Sequence, residues 1–319
     1  MSAKRNVKDV KLIRRIWANM NVQKTIVTIT FLFVPLLLLI LFTYLPFFKM
    51  VQFSFYDMGY IGTRKWVGLD NYIEVFTRED CLNSLKLSGY YLLGSIVQMA
   101  IALLFATILS FKPKGSSFFR AALYFPSLIC GIAVGFIFKY FYTHGFVFDS
   151  IIQLFGIPLD SIPFWLRDTK INNWVLVASS IWRYMGQSMV LFIGAIVSVD
   201  KTQYDAAAID GANAWHRFRY IILPSIRTIV VLNMILSVSG ALAVFEIPYV
   251  ITNGGFGTST YFVLMDKLAH LNQKVGLASA MAVILLVLIL IVSAVQKIAE
   301  NRMVNSYSIV SSKKRRRNK

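Results

Sequence analysis

Residues 275–296 read VGLASAMAVILLVLILIVSAVQ, a long apolar run that contains no Asp, Glu, Lys or Arg. An α-helix needs roughly 20 apolar residues to cross a hydrocarbon layer about 30 Å thick. Three other runs are equally free of charge, namely Ile26–Phe48, Leu87–Phe111 and Ala121–Phe138. Each of the four runs is therefore predicted to cross a membrane.

Two further apolar runs each contain one ionisable residue, Arg183 within Trp174–Val199 and Glu246 within Ile229–Val250. A single charge inside a membrane is costly, but it is tolerated where it faces a bundle interior or a water-filled cavity. The alternative, a buried helix of a soluble domain, is disfavoured because the whole chain of 319 residues is 57% hydrophobic. The prediction is an all-α membrane protein with six transmembrane helices.

The distribution of basic residues predicts the orientation of these spans. Six spans place both termini on one side of the membrane, together with residues 112–120 and 200–227. That side carries 22 Lys and Arg against 5 Asp and Glu, whereas the other side carries 10 against 9. Basic residues remain in the cytoplasm, so both termini are predicted to be cytoplasmic. The net charge of +18 then reflects topology and contact with anionic lipid, and we expect no nucleic-acid partner.

Two basic segments flank the predicted transmembrane domain, which covers residues 25–298. Residues 1–24 place Ile13, Ile16, Trp17 and Met20 at helical spacing, which predicts a short helix on the membrane surface. Contact of this helix with a soluble partner is the alternative. Residues 299–319 form a basic tail, predicted to be a solvated run or to be attracted to lipid.

The only two cysteines, Cys81 and Cys130, fall in an outer loop and within a span. Neither a disulfide nor a metal site is therefore expected. His144, His216 and His270 are scattered, and no nucleophile–base group falls within the spans, which disfavours a membrane-embedded enzyme.

The loop between the fourth and fifth spans reads DKTQYDAAAIDGANAWHRFRYIILP over residues 200–224. Thr202 and Asp205 approximate a helix-capping pair, and the alanines that follow favour a helix with a smooth face that can approach another protein closely. Gly211 permits a sharp turn, and a second amphipathic piece from Trp215 leads into the next span at Pro224. An ordinary connector is the alternative, but connectors are usually shorter.

These residues resemble the EAA loop of binding-protein-dependent ABC importer permeases. The resemblance rests on the series Asp205, Ala206, Ala207, Asp210, Gly211 and Ala212, followed by Phe218, Ile221, Leu223 and Pro224. The chain departs from the pattern at Asp205, where the family usually has Glu, and at Thr228, where a second proline is common. The resemblance implies the type I ABC importer permease fold and a coupling loop over residues 200–225.

Other stretches resemble the carbohydrate-uptake branch of the same family, of maltose and multiple-sugar type. They are Trp66-Val-Gly-Leu-Asp-Asn-Tyr72, Phe118-Phe-Arg120 with Pro126, and Thr252-Asn-Gly-Gly255 with Thr260. The likeness implies a permease subunit of the bacterial cytoplasmic membrane that translocates a carbohydrate, with an oligosaccharide preferred. A non-sugar solute such as glycerol phosphate is the alternative within the family.

The chain contains no Gly-x-x-x-x-Gly-Lys-Ser/Thr phosphate cradle, so it is not expected to hydrolyse ATP. The resemblance implies that the alanine-rich loop docks on a separate ATPase dimer, which binds ATP and Mg, and that an extracellular solute-binding protein delivers the solute. A second, homologous permease chain is expected as a heterodimeric partner, with a homodimer as the alternative.

Arg183 and Glu246 are the candidates for lining the solute pathway, although each could instead pair with a polar group on a neighbouring helix. Sugars are held by aromatic stacking and hydrogen bonds, which adds Trp182, Tyr184, Phe245, Tyr249 and Asn253 to the candidates. These aromatics could also face lipid, and the sugar site could lie mainly in the partner permease. Pro248 is predicted to kink the end of the fifth span.

A stand-alone secondary transporter or channel is the main rival function. Such a protein would usually show inverted repeats with broken helices, or several intramembrane charges. It would leave the loop at residues 200–225 without a purpose.

Overall fold

The computed structural model describes residues 20–317, which are mainly helical. The N-terminal half contains α1 (Met20–Leu39), α2 (Leu45–Phe53), α3 (Asp70–Thr77), α4 (Glu79–Ser110), α5 (Ser116–Leu128), α6 (Gly131–Tyr142) and α7 (Val147–Gln153). The C-terminal half contains α8 (Asn172–Val197), α9 (Lys201–Ile209), α10 (Ala214–Arg217), α11 (Leu223–Ser225), α12 (Arg227–Leu242), α13 (Glu246–Thr252), α14 (Tyr261–His270) and α15 (Val275–Arg317). The π-helical turns Ile40–Tyr44 and Phe218–Ile222 join neighbouring helices, the 3₁₀ turn Leu159–Ser161 follows α7, and β1 (Tyr56–Asp57) pairs antiparallel with β2 (Lys65–Trp66).

Within the described part of the chain, five helical segments are long and apolar enough to cross a membrane. They are Gln23–Phe53, Glu79–Ser110, Gly131–Gln153, Arg227–Thr252 and Val275–Ala299. The predicted fourth span corresponds to α8, which falls outside this set although its 26 residues would reach about 39 Å. This helix carries Arg183 together with several Ser and Asn residues. The count of six spans stays a prediction.

The two basic segments at the ends of the chain were predicted to be a surface helix and a tail. The predicted surface helix at residues 1–24 lies mostly outside the described residues, which begin at Met20. At the other end, α15 continues as a helix to Arg317, through most of the predicted tail. No Gly or Pro follows Gly276 to end this helix, and the expectation that the tail is solvated or attracted to lipid stays a prediction.

α8 lies at the centre of the bundle, where it packs against α4, α5, α6, α12 and α13. One core cluster joins α8 to α4 through Met189, Phe192 and Ala102. Another brings Leu176 and Val177 of α8 against Val134 of α6. The central position of α8 agrees with its polarity, since its Asn and Ser residues are buried against other helices.

Two of the predicted spans are each broken into two helices. The third span is interrupted at Ile129 and Cys130, whose extended backbone separates α5 from α6. The fifth is interrupted between Leu242 and Glu246, which separates α12 from α13. The carbonyl of Val244 in the second break accepts a hydrogen bond of 2.9 Å from the hydroxyl of Thr260. Irregular backbone within a membrane protein needs such internal partners.

The second break lies upstream of the kink predicted at Pro248. Pro248 is the third residue of α13, in the first turn of that helix. Backbone N–H groups in a first turn have no intrahelical acceptor, so proline costs nothing there. The prediction at Pro248 was wrong because this proline helps to start a helix instead of bending one.

Candidate functional site: a polar cavity and the 200–225 loop

A cavity of about 650 Å³ opens beside the second helix break. Its walls come from α4, α8, α12, the break itself and the start of α13. This volume lies within the usual range for small-molecule sites, about 300 to 1,000 Å³. Among the described residues that line it, Arg183 and Glu246 are the only two with a formal charge.

Arg183 and Glu246 form an ion pair in which Nη1 of Arg183 donates to Oε2 of Glu246. The arginine is in the middle of α8 with 11% of its side chain exposed, whereas the glutamate begins α13 with 45% exposed. Arg183 also donates to the hydroxyl of Tyr184 over 2.9 Å, and its guanidinium lies 4.8 Å from the centre of that ring. Arg183 and Glu246 thus line the cavity and pair with each other, while their role in a solute pathway stays a prediction.

Gly131, the first residue of α6, makes room for this ion pair. A Cβ atom at position 131 would overlap the carboxylate of Glu246 and Nη1 of Arg183. The first helix break thus ends against the same ion pair that stands beside the second. Three helices that are distant in sequence, α6, α8 and α13, therefore meet at this point. The ion pair joins α8 to α13, and the absence of a side chain at Gly131 lets α6 pack against it.

A chain of hydrogen bonds joins three of the helices that line the cavity, α4, α8 and α12. Gln98 of α4 donates to the hydroxyl of Ser188 over 3.3 Å, and this hydroxyl donates to Oδ1 of Asn233 over 3.4 Å. The Asn233 Nδ2, the Tyr91 hydroxyl and the Arg183 Nε are buried without a hydrogen-bond partner among the described residues. Buried polar groups are normally paired, and these three unpaired atoms belong to residues on three different helices that line the cavity.

The structure brings only some of the predicted pathway residues to the cavity. Arg183, Glu246, Tyr184 and Phe245 line it. The other three do not. Trp182 packs edge-on against Phe138, Tyr249 stacks behind Phe245 with 4.7 Å between ring centres, and Asn253 ends α13 in a left-handed conformation.

Sequence reasoning did not select Tyr91, Gln98 or Ser188 for the pathway, although all three line the cavity. A signal was present, since Gln98 is the one side-chain amide in the charge-free run Leu87–Phe111. Which polar residues of a span face a cavity depends on helix rotation, and that rotation is set by packing against distant helices.

Residues 200–217, here called the finger, leave the bundle at the C-terminal end of α8. The finger begins with Asp200, whose carboxylate accepts from the backbone N–H of Thr202 over 3.0 Å. This hydrogen bond lowers the pKa of Asp200. The predicted capping pair of Thr202 and Asp205 was therefore placed two residues too late, because the aspartate just before the helix is the better cap.

A tight turn reverses the finger after α9. Gly211 has a φ of +71°, which residues with a Cβ atom adopt at a cost. The backbone N–H of Ala212 donates to the carbonyl of Ala207 over 2.8 Å and closes the turn. The predicted glycine turn is confirmed. Asn213 then caps α10 by accepting from the N–H of His216 over 2.8 Å.

The tip of the finger exposes apolar side chains. Ile209 is 87% exposed and Trp215 is 65% exposed, while the small Ala206 and Ala208 are also exposed on α9. Large apolar groups that face water on a structured protrusion are typical of a protein interface. The predicted series from Asp205 to Ala212 thus lies together on one protruding element.

The base of the finger is fixed to the bundle. Tyr204 packs edge-on against Phe111 at the end of α4, with 5.7 Å between ring centres. Phe218 and the buried Ile222 pack with Ile196 of α8 in the same core cluster. The helix that contacts the base of the finger, α8, also carries Arg183 on the cavity wall.

Comparison of the sequence with known protein families gives a match that covers most of the chain. Residues 98–305 match the family of binding-protein-dependent transport system inner membrane components. The chain belongs to this family. The resemblance inferred from the 200–225 loop is therefore confirmed, and the chain is a multi-pass permease of the bacterial cytoplasmic membrane.

Two curated relatives are similar over most of this permease. The probable ABC transporter permease protein YesP of Bacillus subtilis (strain 168) is 30% identical over 255 residues, which cover 78% of this chain and 82% of YesP. The probable starch degradation products transport system permease protein AmyD of Thermoanaerobacterium thermosulfurigenes is 28% identical, covering 82% of this chain and 89% of AmyD.

A solved structure shows the same fold. A chain from a bacterial ABC transporter that imports the acidic polysaccharide alginate superposes with a TM-score of 0.78 at 19% identity, covering 90% of this permease and 99% of that chain. Another structure, of a bacterial alginate ABC transporter in complex with an alginate pentasaccharide-bound periplasmic protein, gives a TM-score of 0.77 at 18% identity, with coverages of 92% and 97%. The predicted ABC importer permease fold is confirmed.

Proposed function

We propose that this permease is one transmembrane subunit of an ATP-driven importer for an uncharged carbohydrate, with an oligosaccharide as the preferred solute. The proposed topology has six spans with both termini in the cytoplasm. An extracellular binding protein would deliver the solute to the cavity beside Arg183 and Glu246. The finger would receive the motion of a separate ATPase.

The observation that carries this proposal is the charge balance of the cavity. Its one cation, Arg183, is already neutralised by Glu246. The unpaired groups on the wall, from Tyr91, Asn233 and Arg183, are hydrogen-bond donors or can act as donors. Hydroxyl and ring oxygens of a neutral sugar can accept from such donors. An anionic solute such as glycerol phosphate would leave its charge uncompensated.

The aromatic lining supports a sugar over other neutral solutes. Tyr184 and Phe245 stand on the cavity wall beside the ion pair, and flat aromatic faces suit the apolar faces of sugar rings. The name of AmyD, which refers to starch degradation products, agrees with a neutral glucose-based solute. Tyr249 supports the ring of Phe245 from behind.

The proposed role of the finger is to couple transport to ATP hydrolysis. Asp205, Ala206, Ala207, Asp210, Gly211 and Ala212 would form the surface that docks on the ATPase. ATP and Mg would bind to that partner and not to this chain. Closure of the ATPase dimer would move the finger as a rigid body and tilt α8, which would switch the side on which the cavity opens.

A second permease chain completes the proposed assembly. An ATPase dimer offers two docking positions, and this chain supplies one finger. The apolar segment Gln23–Phe53 supports such a partner, since none of its most apolar stretch is buried by the rest of the described chain. A related but different permease is the preferred partner, with a second copy as the alternative.

Uptake by the reconstituted complex tests the solute class. The tagged permease would be purified from its own membranes with the proteins that accompany it, and sealed into liposomes with ATP inside. We expect ATP-dependent uptake of a neutral oligosaccharide such as maltotriose and no uptake of an alginate trimer or glycerol phosphate. Uptake of the anionic solutes alone would contradict the neutral class. Uptake driven by an ion gradient without ATP would contradict the importer.

A further inference from the structure

Residues 146–159 connect α6 to the region before α8 and lie at the end of the bundle opposite the finger. The position follows from α8, since the segment precedes its N-terminus and the finger follows its C-terminus. A helix of 26 residues separates these ends by about 39 Å. The segment contains Pro158 and lies between two of the predicted spans, where a polar, water-facing loop would be ordinary.

The surface of this segment is apolar instead. Leu154 is 85% exposed and Phe155 is 81% exposed, and Phe146, Val147, Ile151 and Ile157 are also exposed. Asp149 is the only ionisable residue between Gly145 and Leu159. A surface of this kind in contact with water would be unfavourable by roughly 25 cal/mol for every Å² of apolar area.

The single charge of the segment is turned away from that surface. The carboxylate of Asp149 is buried and accepts from the Gly145 backbone N–H and the Trp165 indole N–H, both over 2.7 Å. Nδ1 of His144 lies 3.0 Å from the same carboxylate. These contacts hold the polar side of α7 against the protein and leave its apolar side outward.

The exposed apolar surface continues directly from a membrane-crossing helix. On α6, Phe136, Ile137 and Tyr140 are exposed. The ring of Tyr140 is 6.4 Å from that of Phe146, the first residue of the segment. The candidate membrane span Gly131–Gln153 itself includes α7.

We propose that residues 146–159 insert into the bilayer leaflet at this end of the bundle, as a short interfacial anchor beside the span. Amphipathic segments of this kind bury their apolar face about 5 to 10 Å into the boundary between headgroups and acyl chains. A binding protein is a poorer occupant of this surface. It would dissociate between transport cycles, and the apolar side chains of residues 146–159 would then be exposed to water. In the proposed topology the leaflet is the outer one.

Collision accessibility of spin labels tests the position of the segment. Nitroxides would be placed by Leu154→Cys and Phe155→Cys in the full-length chain with Cys81→Ala and Cys130→Ala, reconstituted in phosphatidylcholine nanodiscs. The control is Asp160→Cys, just beyond the segment and also exposed. We expect collisions with oxygen to exceed those with water-soluble nickel chelate several-fold at 154 and 155, with the reverse at 160.

Two results would overturn the proposal. Greater access of the nickel chelate at all three positions would place the segment in water. Low access of both reagents at 154 and 155 would place it against a protein, either the partner permease or the binding protein.

Photo-crosslinking gives a second measurement that keeps both native cysteines. Benzoylphenylalanine would replace Phe155 in the intact complex in its own membranes, which are then irradiated. We expect adducts with lipid acyl chains at this position and none at position 160. An adduct with a protein, or the absence of any lipid adduct from position 155, would contradict insertion.

Discussion

The cavity and the finger are opposites in the way they meet their surroundings. The cavity keeps a salt bridge and three unpaired polar groups within a bundle of apolar helices. The finger exposes Ile209 and Trp215 on a short helical element where polar residues would be ordinary. Both arrangements are unfavourable for an isolated chain. In the proposed function the missing partner is a polar solute at the cavity and another protein at the finger.

The two sites should also fail in different ways when they are altered. A cavity variant changes how tightly the solute is held, so it raises the KM of uptake. A finger variant changes how ATP hydrolysis is used, so it lowers the maximal rate and leaves KM unchanged. A cavity variant that lowered only the maximal rate of uptake, or a finger variant that raised only KM, would contradict this comparison.

The largest effect is expected at the turn of the finger. Gly211→Val places a β-branched residue at a φ of +71°, where even an ordinary residue loses about 1 to 2 kcal/mol. The turn would open, and uptake in proteoliposomes would fall to background while ATP hydrolysis became independent of solute. Gly211→Asn is the matched control, since Asn tolerates this conformation. Loss of uptake in the Asn variant as well would show that the backbone conformation is not the cause.

The ion pair is expected to have the next largest effect. Arg183→Ala and Glu246→Ala each leave a partly buried charge without its partner, and such losses are strongly destabilising. Each should reduce the rate of uptake at low solute concentration about tenfold, which corresponds to ~1.4 kcal/mol. The double variant should be no worse than either single one. Additive losses in this double-mutant cycle would contradict a functional pair.

A smaller effect is expected at the hydrogen-bonding wall of the cavity. Asn233→Leu removes a group that can donate to the solute and should raise KM about fivefold, since one hydrogen bond contributes ~1 kcal/mol. The control is Ser239→Ala on the same helix, because Ser239 bonds its own backbone at Ile235 and does not line the cavity. An equal rise in KM for the control would remove Asn233 from the site.

The smallest effect concerns the cap of α9. The folded-state pKa of Asp200 is lowered, so its contribution is present above the unfolded value of about 3.9 and is lost as pH falls through the folded pKa. Hydrogen-exchange protection of the α9 amides should therefore decrease below pH ~4. Asp200→Asn keeps the cap without the charge and should remove this pH dependence. A decrease that persists in the Asn variant would refute the assignment to Asp200.

The contrast also explains which features could be predicted from the sequence. The finger is built from local signals, since Asp200, the alanines and Gly211 act within a few residues of one another. The helix and the turn of the finger, and its resemblance to a known loop, could therefore be predicted from the sequence. The run at residues 275–296 was equally readable, because crossing a membrane depends on length and hydropathy alone.

The cavity depends on contacts between distant residues, and its details could not be predicted. Arg183 and Glu246 were recognisable as unusual, but their pairing joins positions 63 apart in the chain. The break between α12 and α13 is stabilised by Thr260, which belongs to the segment before α14. No local pattern marks either contact, so the sequence predicted a kink at Pro248 and did not predict the break.

The proposed docking of the finger on an ATPase is tested most directly by identifying the protein that contacts the tip of the finger. Benzoylphenylalanine would replace Trp215 in the full-length permease in its own membranes, with Leu271, an exposed residue at the opposite end, as the matched control position. After irradiation the account predicts an adduct between position 215 and an ATP-binding subunit, identified by mass spectrometry, and no such adduct from position 271. An adduct only with lipid from position 215, or the same ATPase adduct from both positions, would contradict it.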